Sequence, residues 1–375
     1  MMIQKQARHC KKAGHRKAAF DMTRKTSLLL FLFLAAYRTA IAAETLPLSD
    51  YQPHLRSGEF YSEQWSASVW SNNSYYVHVQ FLISNIGLGD HKGAVKIETT
   101  LPDQSRDSRK YRADKNWKSA DDIFRLQFAE HTIEQSAGVI KIKAGDAEFG
   151  TELTIKPLVS GWKPGIGTQF VKTAEGDYDY FLLVPRAEIS GVLRRNGESI
   201  AIKGFGFMDH SYSDVAPHKL AKRWLKMKFF TEDGYTLLFV GLASPSSKDD
   251  LTNCWLWFGK NEQTLFRSSS VAVKFAAMEN DAASNGRYRI PAKIHLRATA
   301  DGRTFGLDLS KQSLRRHKDM LEGLSSAERF VVERFSKPID YTFSGSYFIQ
   351  LDDPASSKSV KVKGRSDYIM QYLNQ

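Results

Sequence analysis

The sequence is short of cysteine and lacks long apolar runs, which argues against a disulfide-stapled protein and a membrane-spanning one. Its 375 residues include two cysteines, Cys10 and Cys254. Cys10 lies in a segment expected to be removed, so no internal disulfide is expected in the mature chain. Cys254, among aromatic residues, is expected to be a small buried apolar side chain rather than a nucleophile. The apolar run at residues 28–36 is nine residues long, whereas a spanning helix needs about 20.

Residues 1–42 are typical of an export leader. Arg24 and Lys25 precede the apolar run, and Ala40-Ile41-Ala42 follows it with the small-x-small spacing of a signal peptidase site. We expect cleavage near Ala42 and a periplasmic or secreted mature protein without a lipid anchor or a transmembrane segment. Met22 would also begin a normal basic leader, so residues 1–21 are either an extended leader or the product of an upstream start codon.

Most of the positive charge belongs to this leader. The whole chain has a formal net charge of +12, and residues 1–42 contain nine Lys or Arg against one acidic residue. The mature chain is left with a net charge of about +4 and no long basic stripe, so no nucleic-acid partner is expected. The basic cluster at Lys219, Lys222, Arg223, Lys226 and Lys228 is either a solvated face or a surface for transient contact with anionic lipid.

Sequence motifs for cofactor, metal or nucleophilic chemistry are missing. There is no Gly-x-Ser-x-Gly elbow to activate Ser211 or Ser213 beside His210. His210 and His218 are eight residues apart and lack the spacing typical of a zinc site. We therefore expect no cofactor and no metal.

The pattern of the mature chain predicts a mainly β protein. Residues 43–375 are too many for one ordinary core and suit two domains, predicted at 43–214 and 215–375. Short segments rich in β-branched and aromatic residues alternate with turn residues, and Asn196-Gly197 predicts a two-residue hairpin turn. Consecutive antiparallel strands favour a barrel or a sandwich. A change of period over residues 311–335 predicts one or two short helices late in the second domain. The predicted strands are 65–70, 75–84, 94–100, 122–128, 139–144, 147–157, 179–184, 187–194, 199–208, 224–231, 235–243, 254–259, 262–267, 271–277, 292–298, 304–309, 340–351 and 360–372.

Residues 203–230, the junction segment, are expected to join the two domains. A strand with Phe205 and Phe207 on one face is predicted to end at a polar cluster. That cluster consists of Asp209, His210, Tyr212 and Asp214. A basic connector after Pro217 leads to a new strand at Trp224.

The junction segment resembles the two-domain lipocalin-like (calycin) superfamily of carotenoid 1,2-hydratases, AttH-like proteins and fungal survival-factor lipid carriers, and it is most similar to the last. The matching positions are Lys203-Gly204-Phe205-Gly206, Asp209-His210, Pro217-His218, Ala221 and Arg223-Trp224. The resemblance implies two tandem antiparallel lipocalin-like β-barrels. It also implies a long apolar ligand, such as an acyl, sphingoid or isoprenoid lipid.

The resemblance to the hydratases does not extend to the acidic residue with which they protonate their substrate. Those enzymes use a tyrosine and an aspartate on the strand after the junction, because protonating an alkene needs a strong, desolvated acid. The corresponding stretch here, residues 235–243, contains no carboxyl group. A binding or carrier function for a hydrophobic ligand is therefore preferred to hydration. An enzyme of the hydratase, cyclase or isomerase type, with Asp209, His210, Tyr212 or Asp214 as candidate catalytic residues, remains the alternative.

Two interpretations of Asp209 and His210 stay open. The aspartate would tune the imidazole for acid–base chemistry or for binding a ligand head group. Alternatively, the pair would be a strut where the barrels meet, with Arg223 as a counter-charge. The candidate ligand-binding or junction residues are Phe205, Phe207, Asp209, His210, Tyr212, His218, Arg223 and Trp224. A third hypothesis is an accessory β protein with filled barrels and a protein partner.

Overall fold

The computed structural model describes residues 46–86, 90–165, 170–247, 250–281, 288–322, 329, 333 and 336–373. The predicted leader at residues 1–42 lies outside them. Thr45–Gln375 form one compact unit, and the described part of it is mainly β, as expected. Its helices include a 3₁₀ turn at Leu48–Asp50 and α1 at Pro217–Leu220. No described helix is long and apolar enough to cross a membrane.

The first sheet contains twelve antiparallel strands from residues 62–213. Eleven follow the order β4-β3-β2-β1-β12-β11-β9-β8-β7-β6-β5, and β10 pairs with β11. The strands are β1 Ser62–Ser71, β2 Tyr76–Ser84, β3 Lys92–Thr100, β4 Arg106–Asp114, β5 Trp117–Ser119, β6 Arg125–Phe128, β7 His131–Ser136, β8 Val139–Gly145, β9 Phe149–Pro157, β10 Val171–Lys172, β11 Asp177–Arg195 and β12 Glu198–Ser213.

The second sheet contains nine antiparallel strands from residues 223–372, in the order β16-β15-β14-β13-β21-β20-β19-β18-β17. One of the two sheets curls into a nearly closed barrel. The strands are β13 Arg223–Phe230, β14 Tyr235–Ala243, β15 Asn253–Lys260, β16 Gln263–Ser268, β17 Ala272–Asn280, β18 Arg289–Ala300, β19 Arg303–Asp319, β20 Ile339–Asp353 and β21 Lys358–Tyr372.

Strand alternation builds three apolar clusters. On β2, Val77, Val79, Phe81 and Ile83 point inward and are buried, as their spacing predicts. Each sheet closes over its own core of this kind. The third cluster lies between the sheets and joins the outer faces of β11 and β12 to those of β13, β14 and β15. We call it the inter-sheet layer. It contains the pair Trp70 and Phe230, whose ring centroids are 4.3 Å apart.

Local turn and burial predictions are confirmed. Arg195 pairs with Glu198 across Asn196 and Gly197, which have φ angles of 52° and 79°, as a two-residue turn with two left-handed residues requires. Cys254 is 4% exposed, and burial raises the pKa of its thiol to about 12.

Two boundaries were predicted wrongly. Residues 311–319 belong to strand β19 rather than to a helix, because they pair with β20 through two register shifts that disturb the period-2 pattern. Most of the remaining predicted helix, 323–335, lies outside the described residues. Strand β12 does not end before the polar cluster but continues to Ser213, since β1 and β11 pair with it on both sides. Strands β4, β5, β7 and β10 were not predicted, and exposed β4 has little apolar alternation.

Candidate functional site

The two central residues of the junction segment face opposite ways. Asp209 and His210 are consecutive in β12, and successive side chains of a strand point to opposite faces of the sheet. His210 points into the first sheet's core, where its ring stacks on Trp65 at 4.5 Å. Asp209 points into the inter-sheet layer and accepts a hydrogen bond from the Tyr180 hydroxyl at 2.7 Å. Asp209 therefore does not orient His210 directly, and the two side chains belong to separate sites.

The partner of His210 is a buried glutamate. His210 Nε2 lies 2.7 Å from Glu63 Oε1, and both side chains have no exposed surface. The other ring nitrogen, Nδ1, donates to the Asp50 carbonyl at 2.7 Å. A carbonyl only accepts, so Nδ1 carries a proton, and the contact with Glu63 requires a second proton between Nε2 and Oε1.

That second proton belongs to the imidazole. Burial acts to raise the pKa of Glu63, but hydrogen bonds from His210 and His54 outweigh it and lower the pKa to about 2. The carboxylate also accepts the His54 backbone N–H at 2.9 Å and the Tyr61 hydroxyl. Glu63 is therefore ionised, and His210 is a doubly protonated counter-ion inside the first sheet.

His54, Glu63 and His210 also have the donor types that bind a divalent metal, with their ligand atoms within 4.8 Å of one another. The geometry fits hydrogen bonding better. Glu63 already accepts several donors, and the 2.7 Å contact to His210 Nε2 is an ordinary charge-assisted hydrogen bond. We therefore assign this cluster as a buried ion pair that holds the segment before β1 against the sheet. Sequence reasoning missed Glu63 because it lies 147 residues from His210.

The inter-sheet layer contains a second titratable group of residues. Burial raises the pKa of Asp209, and the largest charge effects that oppose this come from Lys228 and Lys226. Burial lowers the pKa of Lys228 to about 8 and that of His78 to about 3. His78 is therefore neutral at pH 7. The largest cause of each shift is that the charged form loses hydration between the sheets, and nearby lysines lower the pKa of His78 further.

Two indole groups in the layer lack hydrogen-bond partners. Within the described part of the chain, the buried Nε1 atoms of Trp224 and Trp255 donate to no acceptor. Trp255 packs on Tyr180 with centroids 4.8 Å apart, and Trp224 lies 5.6 Å from Tyr178. Buried donors are almost always paired, so two orphan N–H groups in one layer are candidates for hydrogen bonds to a bound acceptor.

The other predicted site residues are dispersed. Phe207 is buried in the layer, whereas Phe205 is 37% exposed at its margin. Tyr212 lies on the other face of β12, stacked on His54 at 4.8 Å. Asp214 accepts the Asp177 backbone N–H at 2.5 Å in a turn.

Two further predicted residues, His218 and Arg223, lie on the connector helix and on β13. His218 lies on α1. Arg223 lies over the rings of Phe275 and Tyr372, on the opposite face of β13 from Lys226 and Lys228. The lysines rather than Arg223 therefore face Asp209.

A shallow depression of about 340 Å³ is formed elsewhere, on β17 and β18. It shares no residue with the predicted set. Its lining consists of Ala272, Val273, Lys274, His295 and Arg297.

Comparison with solved structures supports the lipocalin-like fold. An AttH-type protein from Nitrosomonas europaea has a TM-score of 0.56 at 12% identity, over 88% of this chain and 98% of its own. Kievitone hydratase from Nectria haematococca has a TM-score of 0.52 at 15% identity, over 88% and 94%. CghA bound to Sch210972 has a TM-score of 0.55 at 12% identity, over 84% and 89%.

No curated protein sequence matches the chain. The Svf1 family, in contrast, matches residues 63–364, which include both sheets almost completely. This agrees with the resemblance found in the junction segment. The chain belongs to the Svf1 family.

Proposed function

We propose that this protein binds a hydrophobic ligand, an acyl, sphingoid or isoprenoid lipid, in the inter-sheet layer. The observation that carries the proposal is the pair of orphan indole N–H groups of Trp224 and Trp255 within an aromatic layer. A ligand with an apolar body and a polar acceptor would pack against the rings and satisfy these donors.

The proposed ligand site lies between the two sheets, whereas a ligand inside a barrel would lie in the core of one sheet. Large side chains such as Trp65, Phe81 and Phe128 occupy the first core, and Phe258 and Phe305 belong to the second. In the inter-sheet layer, by contrast, His78, Lys226 and Lys228 are only half-buried. Polar side chains that keep some exposure between two packed faces favour a cleft there.

Native mass spectrometry after gentle extraction tests the proposal. We expect the protein to retain a lipid, and Trp255→Phe to reduce its occupancy because it removes the N–H while keeping an aromatic ring. Trp117→Phe is the matched control, since the Trp117 indole already donates to the His91 carbonyl at 2.7 Å. No retained lipid, together with no binding of added lipids, would reject a carrier and favour the filled accessory protein.

The protein is further proposed to work in the periplasm or outside the cell, with transient access to a membrane surface. The leader pattern around Ala42 supports export. Intact-mass measurement of the protein from its native host should give a chain beginning near residue 43. A chain that retains residues 23–42 in the cytoplasmic fraction would contradict export.

An enzyme acting on an isoprenoid or polyene lipid is the second candidate, and Asp209 is the observation that favours it. A buried carboxyl group with a raised pKa beside an aromatic layer is suited to general acid catalysis. His210 faces the other way and would not share that step. Turnover of a polyene substrate by the wild-type protein, abolished in Asp209→Asn, would establish the enzyme. Recovery of unchanged lipid from the wild-type protein and from Asp209→Asn would favour the carrier.

A further inference from the structure

The inter-sheet layer contains two cations that sit above neighbouring phenylalanine rings of β12. The Arg186 guanidinium carbon lies 4.4 Å from the centroid of Phe205, and Lys228 Nζ lies 4.5 Å from that of Phe207. Phe205 and Phe207 are two residues apart, on one face of the strand. Their Cα atoms are therefore separated by roughly 6–7 Å, which brings the two cations to the same patch.

Arg186 is an unusual residue for this position. It is 1% exposed, its Nη1 donates to Thr236 of the second sheet, and its Nε has no partner among the described residues. Burial lowers the pKa of this guanidinium. A buried guanidinium without an anion is costly, and such groups are normally paired.

The carboxyl groups near the two cations make their direct contacts with other side chains. Asp209 accepts the Tyr180 hydroxyl, and Glu188, which pairs with Phe205 across the sheet, lies 3.5 Å from Lys156. Neither Arg186 nor Lys228 forms an ion pair within the described residues. Asp209 thus acts on Lys228 without a direct ion pair, and neither cation has an anion in direct contact among the described residues.

We propose that Arg186 and Lys228 form an anion site that receives the acidic head group, a carboxylate or a phosphate, of the ligand. This inference rests on the proposed function, because it assigns the ligand class for the same layer. The planar guanidinium suits two oxygens of either group, and the ammonium supplies a second charge. The acyl chain would extend over Phe207 toward Trp255. Phe205, partly exposed, marks the margin at which a head group enters.

Binding of three probes of matched chain length tests this inference. These are a long-chain fatty acid, a lysophosphatidic acid and the corresponding fatty alcohol, titrated into the mature protein and followed by tryptophan fluorescence. We expect at least one acid to bind about tenfold or more tightly than the alcohol, as charge-assisted hydrogen bonds imply. The acid that binds more tightly identifies the head group.

Variants connect that preference to the two cations. Lys228→Met and Arg186→Met should bring the ratio of acid affinity to alcohol affinity down to about one. Lys363→Met is the control, since Lys363 also lies over a ring, that of Phe348 at 5.7 Å, but on β21. If Arg186→Met fails to fold, the half-buried Lys228 still decides the result.

The two proposals fail differently. Equal affinities for acid and alcohol, or an acid preference that survives Lys228→Met, would overturn the anion site and leave the carrier intact. A protein that binds none of the three probes, and neither a sphingoid nor an isoprenoid lipid, would overturn the proposed function itself.

Discussion

Removing His210 should destabilise the first sheet far more than removing a histidine with a similar but exposed contact. In His210→Ala, Glu63 remains buried without its counter-ion, and the Asp50 carbonyl loses its donor. Breaking a buried ion pair in this way costs about 3–5 kcal/mol. We expect lipid binding to remain measurable, because Asp209 and Trp255, not His210, face the inter-sheet layer.

His295 provides the matched control. Its Nδ1 lies 2.7 Å from Asp308, the same separation as in the His210–Glu63 pair, but both side chains are about a third or more exposed. Exposed pairs contribute about 0–1 kcal/mol. Chemical unfolding, followed by fluorescence, should therefore give a clearly lower midpoint for His210→Ala than for His295→Ala. Similar midpoints for the two variants would refute the assigned ion pair, as would lost lipid binding with unchanged stability.

The pH dependence of stability follows from Glu63. Its pKa falls from the ordinary glutamate value of 4.5 to about 2 in the folded protein, so the unfolded chain binds more protons between these values. The resulting stabilisation, about 3 kcal/mol, is present above pH 4.5 and is lost as the pH falls toward 2. Glu63→Gln should remove this part of the acid dependence. The effects of His210→Ala and Glu63→Gln on the free energy of unfolding should also be non-additive in a double-mutant cycle, by about 1.5 kcal/mol or more.

Three further predictions concern local structure. Tyr180→Phe should raise the pKa of Asp209 further, because it removes the 2.7 Å hydrogen bond to the carboxylate, and carboxyl titration by NMR would detect the shift. Gly197→Ala should cost about 1 kcal/mol in unfolding experiments, since φ is 79° and no atom lies within 4 Å of the added methyl; an unchanged midpoint would contradict that backbone assignment. The thiol of Cys254 should react with an aromatic disulfide reagent only after unfolding, and rapid reaction of the native protein would contradict its burial.

Prediction from the sequence pattern was correct where the structure depends on neighbouring residues of one strand or turn. The inward row of β2 and the Asn196-Gly197 turn follow from period-2 alternation and left-handed backbone, which are properties of neighbouring residues. The same rules failed on β4 and on residues 311–319. There, exposure or register shifts weaken the apolar alternation on which a single sequence must rely.

The sequence by itself determined the β class of the chain, the alternation of its strands and turns, and the importance of residues 203–230. Only the tertiary structure decided that Asp209 and His210 serve separate sites, that Glu63 is the partner of His210, and that Arg186 reaches Thr236 of the second sheet. The physical reason is that a buried charge is compensated through space, by residues that strand pairing and sheet packing bring together. Glu63 and Thr236 are distant from His210 and Arg186 along the chain, so no local pattern records these contacts.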